Sequence, residues 1–266
     1  MTAPPTDSSV TPADPQPTLS VVIPALNEQD NVKPLVEQVA KAMADADIPA
    51  ELIIIDDGST DDTLANLKAL QTQHLFLRVL HRPTPRGQSA AMHAGIQAAT
   101  GRFIATLDAD LQNDPADLPA MLDKCLNENA DMVQGDRSAN RNDHAIRKIA
   151  SVIGRKARLW ILNDPVRDTG CSARVVRADI AKQFPLQFKG MHRFMPAYAR
   201  MLGAKIIEVP VTHHARHAGS TKYGMGLLSR GPAGLADLFA VRWMIKRYRD
   251  TSTDTIASGD IKEVHS

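Results

Sequence analysis

Between Leu19 and Gly135, short runs of apolar, β-rich residues alternate with stretches of helical periodicity. No other feature of the chain constrains its fold as strongly. The runs are LSVVI (Leu19–Ile23), ELIIID (Glu51–Asp56), LFLRVL (Leu75–Leu80), FIATL (Phe103–Leu107) and DMVQG (Asp131–Gly135). Helical spacing fills the intervals: Glu28–Asp47 through Val32, Leu35, Val36, Val39 and Met43, then about Thr60–Gln71, then about Gln88–Ala99, and a helix opening near Pro115, a favoured first helical position. Strands separated by helices of this length predict βαβ units, hence an α/β fold with a mostly parallel central sheet flanked by helices. From about Asp143 the alternation lapses into a basic helical stretch (Ala145–Trp160), an irregular segment and a strand near Lys205–Val209. Ligands of such sheets bind beyond the carboxyl ends of the strands, so the residues following each strand are the ones to inspect.

Composition removes several classes. The 266 residues suit one large domain with appendages. The balance of 31 basic and 30 acidic residues, net +1, argues against a nucleic-acid binder. Cys125 and Cys171 form no CxxC pair, which fits a reducing compartment and no structural zinc. No apolar run reaches the roughly 18–20 residues of a bilayer span, and no secretory signal is expected. Residues 1–17, rich in Pro, and 250–266 read as polar tails.

Three strand ends carry polar clusters: PALNE (Pro24–Glu28), DDGSTDD (Asp56–Asp62) and DADLQ (Asp108–Gln112). Asp108 and Asp110, one residue apart where the chain leaves a strand, can converge on a hard divalent cation, with Gln112 as a neutral oxygen donor. D-x-D is also common in solvated loops, and Asp56–Gly58 could equally be a turn before a helix cap at Ser59 or Thr60.

These motifs, with RGQSAAMHAG (Arg86–Gly95), in this order and spacing resemble the GT-A-fold family-2 glycosyltransferases. RKIAS (Arg147–Ser151), DTGCSARVVR (Asp168–Arg177), KGMHRF (Lys189–Phe194) and VPVTHHARHAGSTKYG (Val209–Gly224) resemble the dolichol-phosphate mannosyltransferase branch, which makes polyprenyl-phosphate sugars. The resemblance covers about Leu19–Arg249 and implies a Rossmann-like, nucleotide-sugar-binding catalytic domain over 18–225 and a helical segment over 226–249. Leu26 departs from the family's usual Tyr.

Carried over by position, Pro24, Leu26, Glu28, Ile55 and Asp57 would line the nucleotide pocket, and Asp108, Asp110 and Gln112 would hold Mg2+ or Mn2+ against the donor diphosphate. Arg216 and Lys222 could reach the same diphosphate from a glycine-containing loop, although such a loop is also an ordinary basic surface. Arg137 would handle phosphate, and Arg147 and Ser151, one helical turn apart, would face the lipid phosphate. Lys148, Arg155, Lys156 and Arg158 read as a solvated face. His213 and His217 stand at i, i+4, but with no helix signal there a zinc site is not expected.

A phosphate monoester has a second pKa near 6 and attacks without a base. The resemblance therefore implies inverting transfer of mannose or another hexose from a GDP- or UDP-sugar to a polyprenyl phosphate. Asp168 would then order the acceptor loop, whereas in a relative acting on a saccharide hydroxyl it would be the base. Cys171 reads as packing. A catalytically idle scaffold would not require Asp108, Asp110, Arg216 and Lys222 together, and a sugar-nucleotide pyrophosphorylase would need a glycine-rich N-terminal loop that this chain lacks. The stretch Ala233–Ile245, followed by Lys246, Arg247 and Arg249, suits either an interfacial helix or a core helix. A lipid acceptor favours peripheral attachment at the cytoplasmic face of a membrane.

Overall fold

A computed structural model describes residues 17–138, 145–215 and 227–250, with side chains left undescribed at 145–153 and 227–233. Its seven-stranded sheet has the order β3-β2-β1-β4-β6-β5-β7. The strands are β1 (Leu19–Ala25), β2 (Ala50–Asp56), β3 (Leu77–His81), β4 (Phe103–Thr106), β5 (Met132–Asp136), β6 (Arg174–Arg177) and β7 (Ile206–Pro210). All pairings are parallel except those of β6, which runs antiparallel between β4 and β5. The helices are α1 (Val32–Asp45), α2 (Thr63–Gln73), α3 (Gln88–Ala98), α4 (Leu118–Asn127), α5 (Ala145–Leu162), α6 (Ala178–Ala181), α7 (Met195–Met201) and α8 (Leu227–Arg247).

The continuous apolar runs follow from burial on both faces of the sheet. Val21, Ile23, Leu52 and Ile54 enter one core with Val32, Leu35, Val36 and Val39 of α1, whereas Val22, Ile53 and Ile55 enter the other with Ala91, Met92 and Ile96 of α3. The order turns back at β1, whose neighbours are β2 and β4, so the carboxyl ends of β1 and β4 flank a switch point where ligands settle.

Several boundaries differ from the sequence expectation, for identifiable reasons. Helix α1 begins at Val32 rather than Glu28 because residues 27–31 are tied to the loop after β2: Asn27 has φ 52° and its side chain accepts from the Thr60 N–H at 2.7 Å. Leu75 belongs to no strand and is 97% exposed. The segment expected to be irregular contains β6, whose four residues are too few to show a period. Helix α8 is longer than expected and runs through Pro232. It divides the two expectations for this segment: Leu238 and Val241 pack into the second core, while Leu235, Phe239 and Trp243 are exposed. No helix among the described residues is long and apolar enough to cross a membrane. Of the two expected tails, only Pro17 and Asp250 are described.

Candidate active site

The loops after β1 and β2 are stitched into one wall. The Asn27 N–H donates to Ser59 Oγ at 2.8 Å, the Glu28 N–H to Thr63 Oγ1 at 2.7 Å, and the Asp57 N–H to the Ala25 carbonyl at 2.9 Å. The Glu28 carboxylate is held by Asn31 Nδ2 at 2.6 Å. Asp57 is buried, and its carboxylate accepts the backbone N–H groups of Arg86 at 3.1 Å and Gly87 at 2.6 Å. That contact fixes the entry to α3. Gly87 takes φ +90°, which favours glycine, and a Cβ on Gly58 would lie 2.7 Å from the Pro85 nitrogen. Pro24, Leu26 and Glu28 are half-buried at this wall. Ile55 differs: its side chain is fully buried and meets Gly95 of α3, so it packs the core and only its backbone faces the strand end.

The DADLQ turn leaves β4 at the switch point, with Leu111 at φ 59°. Two residues absent from the sequence-based site, Ser172 and Gln88, position it, and a third, Arg174, acts on it by charge. Ser172, next to the antiparallel β6, accepts the Asp108 N–H at 3.1 Å and Asn113 Nδ2 at 2.7 Å on its hydroxyl, while its carbonyl accepts from Thr106 Oγ1 at 2.6 Å. Gln88, the first residue of α3, donates from Nε2 to Asp108 Oδ1 at 2.7 Å. Arg174 is buried and donates to Gln134 Oε1 at 2.8 Å and to the Thr169 carbonyl at 2.8 Å. Burial and then the charge of Asp110 raise the Asp108 carboxyl above its ordinary value, against the Ser172 hydroxyl and the charges of Arg174 and Arg137. The Asp110 charge acting on the buried Asp108 is a repulsion that a divalent cation would relieve. Among the described residues no three His, Cys, Asp or Glu side chains group into a metal site.

Arg137, just beyond β5, grips Asp168 with a fork: Nε to Oδ2 at 2.8 Å and Nη2 to Oδ1 at 3.1 Å, both side chains largely buried. Cys171 is buried beside Asn113, and burial pushes its thiol up to about 11, so the packing expectation holds. Arg158 corrects the expected solvated face. It pairs with Asp164 at 3.1 Å and donates to Thr169 Oγ1 and to the Val166 carbonyl, while Arg155 and Lys156 are exposed.

A further junction joins the site to the chain after β7. The His214 N–H donates to the Gln112 carbonyl at 2.8 Å, Asn113 and His213 form an antiparallel bridge, His214 Nε2 lies 3.0 Å from Asp114 Oδ2, and the Thr212 N–H donates to Asp117 Oδ2 at 2.7 Å. The backbone is thereby held against the DADLQ turn up to His214, two residues before Arg216. Arg216, His217 and Lys222 lie outside the described residues, as do the side chains of Arg147, Lys148 and Ser151 on α5.

The sheet thus carries an acidic pair at its switch point. The model of glycosyl transferase family 2 matches residues 20–184. The chain belongs to glycosyl transferase family 2. It is 42% identical over 236 residues, 86% of this chain and 67% of the relative, to a dodecaprenyl-phosphate galacturonate synthase of Rhizobium johnstonii. It is 35% identical over 208 residues, 77% of this chain and 62% of the relative, to an undecaprenyl-phosphate 4-deoxy-4-formamido-L-arabinose transferase of Klebsiella pneumoniae. The chain thus spans about two thirds of the length of these curated relatives. Its fold is similar to that of a Pyrobaculum calidifontis mannosyltransferase in complex with GDP-Man and Mn2+ (TM-score 0.62, 16% identity, covering 88% of this chain and 66% of that one). It is also similar to that of a Mycobacterium tuberculosis glucosyl-3-phosphoglycerate synthase in complex with Mg2+ and UDP (TM-score 0.61, 19% identity, covering 88% and 81%). The GT-A expectation for the family-2 fold is met.

Proposed function

We propose that this family-2 chain transfers a hexosyl group, with inversion, from a nucleotide-sugar donor to a polyprenyl phosphate at a membrane surface. The observation that carries the reading is the convergence on the DADLQ turn. Gln88 and Ser172 hold Asp108, and the His214–Gln112 bond leads the chain toward Arg216 from the other side. The names of the relatives support the acceptor class, a long-chain prenyl phosphate.

In this reading the wall built from Pro24, Leu26, Glu28 and Asp57 receives the nucleoside, and the aspartate pair with Gln112 holds Mg2+ or Mn2+. The bound cation would neutralise charge on the departing diphosphate. Arg216 and Lys222 grip that diphosphate as a fork and a point charge. Arg147 and Ser151 orient the acceptor phosphate, while Arg137, anchored by Asp168, belongs to the nucleotide-sugar pocket. The acceptor oxygen needs no base, because a phosphate monoester is already largely ionised near neutral pH. The Arg137–Asp168 pair favours this acceptor over a saccharide hydroxyl: a carboxylate gripped on both oxygens is a poor proton acceptor and a good anchor.

Helix α8 supplies the membrane contact in the same reading. Leu235, Phe239 and Trp243 recur at i, i+4 and i+8 on its exposed side, and Arg247 stacks over Trp243 at 5.8 Å. α8 packs on α5, which exposes Leu159 and Trp160, and Arg242 donates to the Ile161 carbonyl. An aromatic stripe ending in Lys246 and Arg247 suits an anionic interface. The surface is the cytoplasmic one, where two free thiols meet little oxidant.

A panel of labelled GDP- and UDP-sugars, including a galacturonate donor, tests the reading when each is incubated with undecaprenyl or dolichyl phosphate and Mn2+ and then extracted into organic solvent. The expected result is label in the lipid phase from at least one donor, reduced by about a hundredfold or more in Asp108→Asn. Label confined to water for every donor contradicts it.

A further inference from the structure

One partly buried pair beside the site has no part in the mechanism above. Ser89, the second residue of α3, is buried, and its hydroxyl oxygen lies 3.3 Å from the backbone nitrogen of His192 and 2.7 Å from Nδ1 of the same ring. His192 sits in the turn Met191–Phe194, which packs against α3. A serine hydroxyl has one proton to give. Its oxygen accepts from the His192 N–H, and no acceptor other than Nδ1 is recorded for its proton, so donation to Nδ1 is the arrangement that leaves none of these groups unused. A neutral imidazole that accepts at Nδ1 carries its own proton at Nε2. Neutrality follows from the surroundings: burial first, then the charges of Arg174 and Arg193, push the ring's pKa down to about 3.

The ring therefore presents a fixed N–H donor. Among the described residues Nε2 has no recorded hydrogen-bond partner, and it is not one of the sealed, unpaired polar atoms of the interior. Its anchor, Ser89, adjoins Gln88, whose amide rests on Asp108 at 2.7 Å. The start of α3 thus meets Asp57 at Gly87, Asp108 at Gln88 and His192 at Ser89 in turn, and in a donor laid along that order, nucleoside at Asp57 and diphosphate at Asp108, the sugar is the group that follows.

We propose that His192 is a specificity-determining residue that donates an Nε2–H hydrogen bond to an oxygen of the donor sugar, and that Ser89 is the positioning residue that fixes its tautomer. The proposal rests on the nucleotide-sugar reading above, though not on the identity of the acceptor. An N–H donor rewards a sugar with an acceptor oxygen at that position and penalises one that leaves the donor unpaired.

The test compares ligands in pairs on the whole chain with Mn2+, GDP-mannose against GDP and UDP-glucose against UDP, and follows the pair that the wild type binds. His192→Phe is expected to weaken binding and kcat/KM for the sugar nucleotide by about 10- to 100-fold, with the nucleoside diphosphate Kd unchanged within about twofold. His192→Gln, which keeps an amide N–H, restores part of the loss. Nitrogen-15 NMR of the wild-type ring places the proton on Nε2, and Ser89→Ala lets both tautomers appear. Equal losses for the two ligands in a folded His192→Phe overturn the sugar contact, as does an unchanged sugar nucleotide, or a rise confined to the KM of the lipid phosphate. A proton on Nδ1 overturns the tautomer argument. If no polyprenyl phosphate is glycosylated but His192→Phe still separates the two nucleotides, the acceptor reading fails and this one stands. Binding of neither nucleotide overturns both.

Discussion

The backbone N–H of His214 donates to the carbonyl of Gln112 at 2.8 Å, joining residues about a hundred positions apart at the edge of the acidic turn. The bond is one of a set, with Asp114 on His214 and Asp117 on Thr212, that holds the chain after β7 against the β4 loop. The first prediction concerns this tether. Asp117→Ala, which strips the acceptor of the Thr212 N–H, is expected to lower kcat/KM by about tenfold, because small misplacements of charged groups around a diphosphate are costly. Thermal unfolding should move little, since the Asp117 contacts are exposed. Steady-state kinetics beside a melting curve checks this, and unchanged kinetics would show that the tether does not serve the site.

A second prediction separates structure from proton transfer at Arg137 and Asp168. Removing one partner of a largely buried pair leaves the other charge uncompensated, so Arg137→Ala is expected to destabilise the fold by about 3 kcal/mol in denaturant unfolding. Asp168→Asn keeps the shape and one acceptor oxygen. With a phosphate acceptor it is expected to retain turnover within about tenfold. Near-complete loss of turnover with donor binding intact would instead assign Asp168 as a base and the acceptor as a hydroxyl.

The cysteines give a pH prediction with a defined sign. Burial raises both thiols, Cys171 to about 11 and Cys125 to about 12, so both stay protonated through neutral and mildly alkaline pH. Only the thiolate is nucleophilic. Iodoacetamide at pH 8 should therefore leave both unmodified in the native state and alkylate them after unfolding, as read by intact mass. Rapid native labelling of Cys171 would contradict the packing described for the DTGCS segment.

The exposed stripe of α8 yields a fourth prediction. Replacing Phe239 and Trp243 together by Ala should reduce sedimentation with anionic vesicles at low salt by about tenfold or more, with little change in melting temperature because neither side chain enters the core. Added salt should weaken wild-type binding through Lys246, Arg247 and Arg249. Vesicle binding that ignores both changes would place the contact elsewhere.

The legible parts of the fold were those written in local pattern. Val21, Val22 and Ile23 mark β1 because each is buried on one face or the other, and the acidic clusters announce the ends of β1, β2 and β4. Long-range structure was not legible. Arg174–Arg177 reads as a polar, irregular stretch until β4 and β5 are placed on either side, and only then does Ser172 reach the Asp108 amide. Arg158 lies in a basic run, yet pairing with Asp164 across a turn draws it inward while its neighbours stay exposed. Gln88 and Ser89 lie in the RGQSAAMHAG motif and His192 in KGMHRF, but nothing in either motif shows that the two meet, because a hydrogen bond between positions 89 and 192 leaves no periodic signal. Ile55 was assigned to the pocket by position alone, and the alternation of the sheet turns its side chain under α3.

The most direct measurement is a crystal structure of the full-length chain with Mn2+ and the nucleoside diphosphate of its donor. The account predicts anomalous manganese density between Asp108, Asp110 and the diphosphate, with Arg216 and Lys222 on the same phosphates. Manganese away from the aspartate pair, or a diphosphate bound with Arg216 and Lys222 turned from it, would contradict the account.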